Sequence, residues 1–372
     1  MITSQASMQI SVKRNFVNVG QALFAIEEHN GKTIVYDCGG ESRLIVNAVL
    51  PYILSKGSII DILFISHYDN DHINGVQYLL HHCNVKHIVL PMIEEAFRMA
   101  SLIKLYPNSF AYLFTTNPQA AVREEISIIR ETRDRDVMFP AIHLVETVER
   151  SFGDANLNEP IRIDEMQDGT TIPGNKSICI DANNEWTYLP FNRKVMTQEE
   201  SESFMEFLEL PKDATCDDLM QHWGLHWIDE VLYRKLSWFP FERRHPLKDA
   251  WHAATGISYR DINDHSMTLY SGPGKNVGGN GCLFTGDYNA NKYMTELYQY
   301  YVQLWGNICV VQVPHHGSNS NFDDQLIISG ATHVISNKEV PSRASDVKYC
   351  TVWDKIVAHG EHVVGTWQEP LV

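Results

Sequence analysis

The chain of 372 residues is 44% hydrophobic and carries a formal charge of −16, which supplies ample material for a packed core and excludes intrinsic disorder. A surface this acidic, with no lysine- or arginine-rich stripe, repels nucleic-acid phosphates and excludes a broad duplex-binding face, though not a small phosphorylated substrate. No apolar run approaches the roughly 20 residues that span a bilayer, so no membrane partner is expected.

Residues 1–16 lack the charged start, apolar block and small-residue cleavage site of a secretory leader. Cysteines 38, 83, 179, 216, 282, 309 and 350 form no CxxC pair, which suits free, buried thiols in a reducing compartment. The expectation is a cytoplasmic protein. In chain order, residues 8–13 and 21–28 read as strands, and Asn30-Gly31 is a turn before the strand Thr33–Asp37. Residues 43–55 suit a helix, and the run DILFIS (Asp61–Ser66) suits a buried strand. A helix over His72–Cys83 and a strand over His87–Leu90 close this first zone, residues 1–90.

Residues 91–259 form a second zone, expected to be a mainly helical insertion or cap, with helices near 93–104, 118–133, 197–208 and 214–236. Residues 260–372 return to strand–helix alternation. Strands are expected at Ser266–Ser271, Gly281–Thr285, Ile308–Val313, 332–336 and 362–367, with a helix over Tyr288–Trp305. Similar texture at both ends implies two halves of one sandwich interrupted by the middle zone.

The sequence His67-Tyr68-Asp69-Asn70-Asp71-His72 directly follows an apolar strand and precedes a helix. A turn there projects two imidazoles and two carboxylates into one small volume at the edge of a sheet, where α/β sites lie. That is more than one hydrolytic metal needs from a single loop, and it suits two metals about 3.5–4 Å apart. Further donors must come from elsewhere. Asp287 ends the strand GCLFTGD, where a carboxylate can bridge two ions, and His315 and His316 end CVVQVPHHGS. Taken alone, Asp287 reads equally well as a helix N-cap, and the histidine pair as a structural turn.

At these blocks the chain resembles the metallo-β-lactamase superfamily, and within it the branch typified by the hydrolase domain of the competence protein ComEC. NVGQALFAI with IVYDCGG resembles the opening hairpin, although Asn18 and Ala22 depart from the usual Asp-Val-Gly-Gln-Gly. SHYDNDHINGV resembles the metal loop, CLFTGD the bridging aspartate, VPHHGSNS the final histidine block and HVVGTWQEP the closing strand. The resemblance implies an α/β fold, the metallo-β-lactamase αββα sandwich, here with a large helical insertion between its halves. It implies that His67 and Asp69 hold one metal, that Asp71 and His72 hold a second, that Asp287 bridges and that His316 closes the second site. His315 then donates a proton to the leaving group or contacts an oxyanion, with the reverse assignment of the two histidines as the alternative. The superfamily's third histidine has no clear counterpart; His265 stands at about the right distance before Asp287, as a ligand or as a support for one.

The implied cofactors are two divalent ions, zinc or manganese, with magnesium admissible because aspartate at position 69 makes the site oxygen-rich. The implied activity is metal-dependent hydrolysis in which Asp71 orients water, most readily of a phosphodiester in a nucleotide or a single-stranded nucleic acid. Arg243 and Arg244, with His245, Arg260 and Trp223, Trp227, Trp238 and Trp251, are candidate substrate contacts, although tryptophans at helical spacing are more often core. His222, His226 and His252 lack the spacing of a further metal site. Ester or lactone hydrolysis is the alternative chemistry, and a partner-binding module with a vestigial centre, contacting a protein through residues 91–259, is the alternative class.

Overall fold

The computed structural model describes residues 11–101, 109–133, 137–148, 156–180, 186–222, 241–258, 262, 266–274, 280–337 and 347–367. Its frame is two mixed sheets packed face to face. The first has seven strands: β1 (Val12–Phe16), β2 (Ala25–His29), β3 (Lys32–Tyr36), β4 (Ile59–Phe64), β5 (Asn84–Pro91), β6 (Ala141–Val145) and β8 (Thr171–Ile172), in that spatial order. The second has eight, in the order β15 (His362–Gly365), β14 (Thr332–Ile335), β13 (Ile308–Gln312), β12 (Gly281–Phe284), β11 (Thr268–Pro273), β10 (Trp186–Phe191), β9 (Lys176–Cys179) and β7 (Asn156–Arg162).

Each sheet changes from antiparallel to parallel pairing partway across. β1, β2 and β3 pair antiparallel, and β3 through β8 run parallel. In the second sheet β12 through β15 run parallel, while β9, β10, β11 and β12 pair antiparallel. Parallel strands need cover on both faces, and the sequence provides it. Leu23, Tyr36, Ile62, Phe64 and Val89 of the first sheet meet Tyr188, Met267, Leu269 and Phe284 of the second in a core between the sheets.

The outer face of the first sheet packs under the helices Arg43–Ile53, Val76–His82, Glu95–Ser101 and Pro118–Arg133, with Gln198–Phe207 and Phe241–Thr255 beyond them. The outer face of the second packs under Ala290–Tyr301 and Val347–Ala358. The order of layers is therefore helix, sheet, sheet, helix, the αββα sandwich expected. Local sequence sets helix boundaries where capping is strong. Pro118 opens a helix behind Asn117, whose side chain accepts from Ala120 N at 3.0 Å. Thr197 and Glu200 form a reciprocal capping box at the start of Gln198–Phe207. No helix among the described residues is long and apolar enough to cross a membrane.

The middle of the chain divides differently from the expectation. Residues 91–259 are not only a helical insertion, because five strands, β6 to β10, arise there and enter both sheets. The second sheet therefore begins at Asn156, ahead of residue 260. The physical reason is that WTYLPF, buried at every position, has no alternation to reveal its period, and KSIC is only four residues long. The helices of this stretch extend the outer layer over the first sheet, where Trp251 is fully buried with its ring centroid 5.7 Å from that of Phe97. That places Trp251 in the core.

Candidate metal centre

Four strand ends meet at one edge of the sandwich. The chain leaves β3 at Asp37, β4 at Ser66, β12 at Gly286 and β13 at Val313, all carboxyl ends in open parallel arrays, where backbone opens into side-chain sites. Backbone hydrogen bonds join the two sheets at this edge, from Met267 N to Ser66 O at 2.8 Å. The loop after β4 is held from beneath by the opening hairpin: Cys38 N donates to His72 O at 2.9 Å, and Gly75 N to Cys38 O at 2.8 Å. Gly39 lies so close under this loop that a Cβ there would stand 1.7 Å from Asp71 O. Gly286, at φ +53°, occupies the left-handed region, and a Cβ there would lie 2.8 Å from the Ser66 side chain.

The donors converge around Asp287, which is 1% exposed. Its Oδ1 stands 3.2 Å from His72 Nε2 and 3.6 Å from His316 Nε2. Its Oδ2 stands 3.8 Å from His67 Nε2 and 3.6 Å from His315 Nε2. The two carboxylate oxygens thus face two sides of the cluster, the disposition a bridging ligand requires. Two groups of three donors lie within 4.8 Å of one another: His67, His72 and Asp287, and Asp71, His72 and His316. The N-cap alternative for Asp287 falls to Asn289, whose side chain accepts from Lys292 N at 3.0 Å.

The far nitrogen of each of three rings is already engaged. His72 Nδ1 bonds Asp37 Oδ2 at 2.7 Å, His316 Nδ1 bonds the carbonyl of Ser336 at 3.0 Å, and His67 Nδ1 bonds Ser66 Oγ at 2.9 Å and Ser266 Oγ at 3.0 Å. A carboxylate and a carbonyl only accept, so His72 and His316 carry their protons on Nδ1 and present the Nε2 lone pair. The Nε2 atoms of His72 and His316 are buried and make no hydrogen bond. Orphaned lone pairs beside a buried carboxylate are costly unless a cation completes them. Nitrogen and carboxylate donors in this proportion fit divalent transition ions.

The electrostatics agree. Burial pushes Asp287 upward, yet the His315, His72 and His316 rings outweigh it and hold the carboxyl well below the usual range. Burial likewise raises Asp71, but the His316 ring 3.3 Å away and the charge of His72 bring it down to about 2. His72 and His316 resist burial through the opposite field: Asp287 and Asp37 lift His72 well above the ordinary value, and Asp287 and Asp71 lift His316. A cluster that holds its carboxylates ionised and draws in positive charge is a cation site, filled by protons or by metal.

The other expected residues distribute unevenly. Asp69 is half-buried and lies outside both donor groups; it borders a recess lined by His67, Tyr68, Pro91, Ile93, Phe97 and Ile262. His315 also lies outside both groups, with 24% of its side chain exposed at the rim, whereas His316 is 2% exposed within one of them. Both stand at positive φ, 49° and 55°, a strained left-handed pair that directs the consecutive rings to different sides. Arg243 and Arg244 fall on the helix Phe241–Thr255. His265, Arg260, His226, Trp223, Trp227 and Trp238 lie outside the described residues. His222 and His252 are exposed and belong to neither donor group.

Sequence reasoning missed the supports. Asp37 is completely buried and receives His72 Nδ1, Ser66 N and Ser66 Oγ, each at 2.7 Å. Gln312 Oε1 accepts from Thr285 N at 2.8 Å and Gly286 N at 2.7 Å, fixing the turn that carries Asp287. Asp37 had a visible signal, an acidic residue closing an apolar strand in IVYDCGG. Gln312, the last residue of β13, had none.

The sequence model of the metallo-beta-lactamase superfamily matches residues 19–151. Recombination protein 2 of Haemophilus influenzae is 37% identical over 67 residues, which is 17% of this chain and 8% of that protein. The chain therefore spans a small fraction of that relative's length.

Proposed function

We propose that the chain is a metal-dependent hydrolase that cleaves phosphodiesters with two divalent ions, manganese or zinc, a reading supported by the match of residues 19–151 to the metallo-beta-lactamase superfamily model. The observation that carries the proposal is the convergence of His67, His72 and His316 on the two oxygens of one buried aspartate. The oxygen donors Asp69, Asp71 and Asp287 favour a hard ion and an anionic, oxygen-rich substrate. The relative that shares part of the sequence is named a recombination protein, which puts a nucleotide or single-stranded nucleic acid first among the phosphodiesters.

In this reading His67 and Asp69 serve one ion, Asp71, His72 and His316 serve the other, and Asp287 faces both. Bound divalent ions lower the pKa of water and offset the charge of the substrate. Asp71, with 35% of its side chain exposed, orients the attacking water from the open side. His315 stands at the rim and donates a proton to the departing oxygen. Asp37 holds His72 in the tautomer that its role requires.

A second reading, ester or lactone hydrolysis, uses the same donors, with the apolar side chains Pro91, Ile93, Phe97 and Ile262 lining a small recess beside Asp69. Hydrolysis of bis-p-nitrophenyl phosphate and of a simple lactone, each with manganese and with zinc, separates the two. Phosphodiester turnover exceeding lactone turnover supports the proposal; lactone turnover alone rejects it. No turnover with either substrate and any metal rejects both.

A further inference from the structure

The three imidazoles are anchored by different chemistry. His72 leans on a carboxylate and His316 on a backbone carbonyl, groups that only accept. His67 leans on two hydroxyls, which can accept or donate. What fixes His67 is therefore how those hydroxyls are themselves committed. Ser66 Oγ donates its proton to Asp37 Oδ2 at 2.7 Å, so toward His67 it can only accept. Ser266 Oγ receives the backbone N–H of Asp287 at 2.8 Å and lies 3.0 Å from His67 Nδ1.

One oxygen, on the chain just before β11 of the second sheet, thus touches a donor of the metal loop and the backbone of the aspartate that faces both sides. Ser266 is fully buried, as is Ser66. A Cβ added at Gly286 would meet both serine side chains, at 2.8 Å and 3.0 Å. The three small residues let the sheets close to hydroxyl contact directly beneath the donors, where no larger side chain fits.

Resting on the metal-dependent reading, we propose that Ser266 is a positioning residue for the His67 side of the centre: it sets the spacing of His67 from Asp287, while Ser66 keeps the proton on His67 Nδ1. The Asp71–His72–His316 side has its own anchors in Asp37 and Ser336 and meets Ser266 only through the backbone of Asp287. The consequence is selective. Removing the hydroxyl weakens the ion on the His67 side more than the other.

Manganese titration of the full chain, followed by the loss of the free-ion paramagnetic signal, is the first readout for wild type, Ser266→Ala and Ser271→Ala. Ser271 is buried on β11 but bonds Trp186 and Glu27, away from the centre, and controls for damage to the strand. The second readout is the two-bond proton–nitrogen spectrum of the histidine rings, which reports the His67 tautomer with and without metal. Ser266→Ala is expected to weaken one of two manganese affinities about tenfold, within the usual range for residues that support ligands, and to shift the His67 ring-nitrogen signals as the ring loses its second contact. Ser271→Ala is expected to leave both affinities and the His67 signals unchanged. The proposal is overturned if Ser266→Ala weakens both ions alike or neither, if the His67 ring-nitrogen signals stay in place, or if Ser271→Ala reproduces the effect. A wild-type chain that takes up no divalent ion rejects the metal-dependent reading itself, a different result from any of these.

Discussion

Replacing Asp37 by asparagine changes one atom that never touches substrate, and it should nevertheless disable the centre. The carboxylate takes three hydrogen bonds of 2.7 Å: Ser66 N on Oδ1, and Ser66 Oγ and His72 Nδ1 on Oδ2. An amide keeps one oxygen. If its NH2 occupies the Oδ1 position it faces the Ser66 N–H; at the Oδ2 position it faces the His72 N–H. Either way a buried donor meets a donor, and the residue is completely enclosed, so water cannot intervene. A buried donor left unsatisfied costs about 1–3 kcal/mol, and a rotation of His72 to escape would move its Nε2 from the cluster. At about 1.4 kcal/mol per decade, the expected loss in metal affinity is roughly tenfold to a hundredfold. Competition with a chromophoric chelator measures it, with circular dichroism confirming that the variant is folded. An Asp37→Asn chain that binds metal within about threefold of wild type would refute the reasoning, because it would mean His72 needs no acceptor to hold its tautomer.

Three further outcomes are expected. His315→Ala should keep its metal while kcat falls by about two orders of magnitude, the usual size of a lost proton donor; His316→Ala should lose metal, and the opposite pattern in metal analysis would exchange their roles. Gly39→Ala should displace the metal loop, since its Cβ would meet the Asp71 backbone at 1.7 Å; lowered thermal stability together with lowered metal content checks this, and an unchanged melting temperature contradicts it. The third concerns pH. Burial pushes His87 down to about 4, with His143 and Lys86 adding to the effect against Asp164 and Asp61, and burial also lowers His143, against the Thr170 backbone and Asp168. His87 Nδ1 and His143 Nε2 lie 3.1 Å apart, on the paired strands β5 and β6. A depressed histidine pKa means that the unfolded chain takes up protons first, so stability is intact above the ordinary value of 6.5 and falls as pH drops toward 4. Denaturant unfolding of His87→Gln should show a shallower decline across that window than wild type, and parallel declines would remove the pair as its source.

The centre was more legible in sequence than the fold around it. His67, Asp71, His72, Asp287 and His316, which the fold brings together as candidate donors, could be singled out because ligand chemistry permits few residue types, and because their blocks stand where apolar runs stop. Among the strands β6 to β10, β10 escaped because burial erases the alternation that marks a strand, WTYLPF being buried throughout, and β8 and β9 because they are only two and four residues long. Pairing such a strand with its neighbours requires knowing contacts between distant residues, as between Trp186 and Pro273 in β10 and β11. Supports such as Ser266 and Gln312 were invisible for another reason. A serine or glutamine near a strand end is common, and only its distance from a particular ring or turn gives it a role. By contrast the helix Pro118–Arg133 matched its expected limits, because a proline at its first position marks its start locally.

The most direct test of the account is elemental analysis of the purified chain joined to a phosphodiesterase assay before and after chelation. The account predicts two divalent ions per chain, activity that vanishes with their removal, and recovery when manganese or zinc is returned. A chain stripped of divalent ions that still cleaves phosphodiesters at full rate would contradict it.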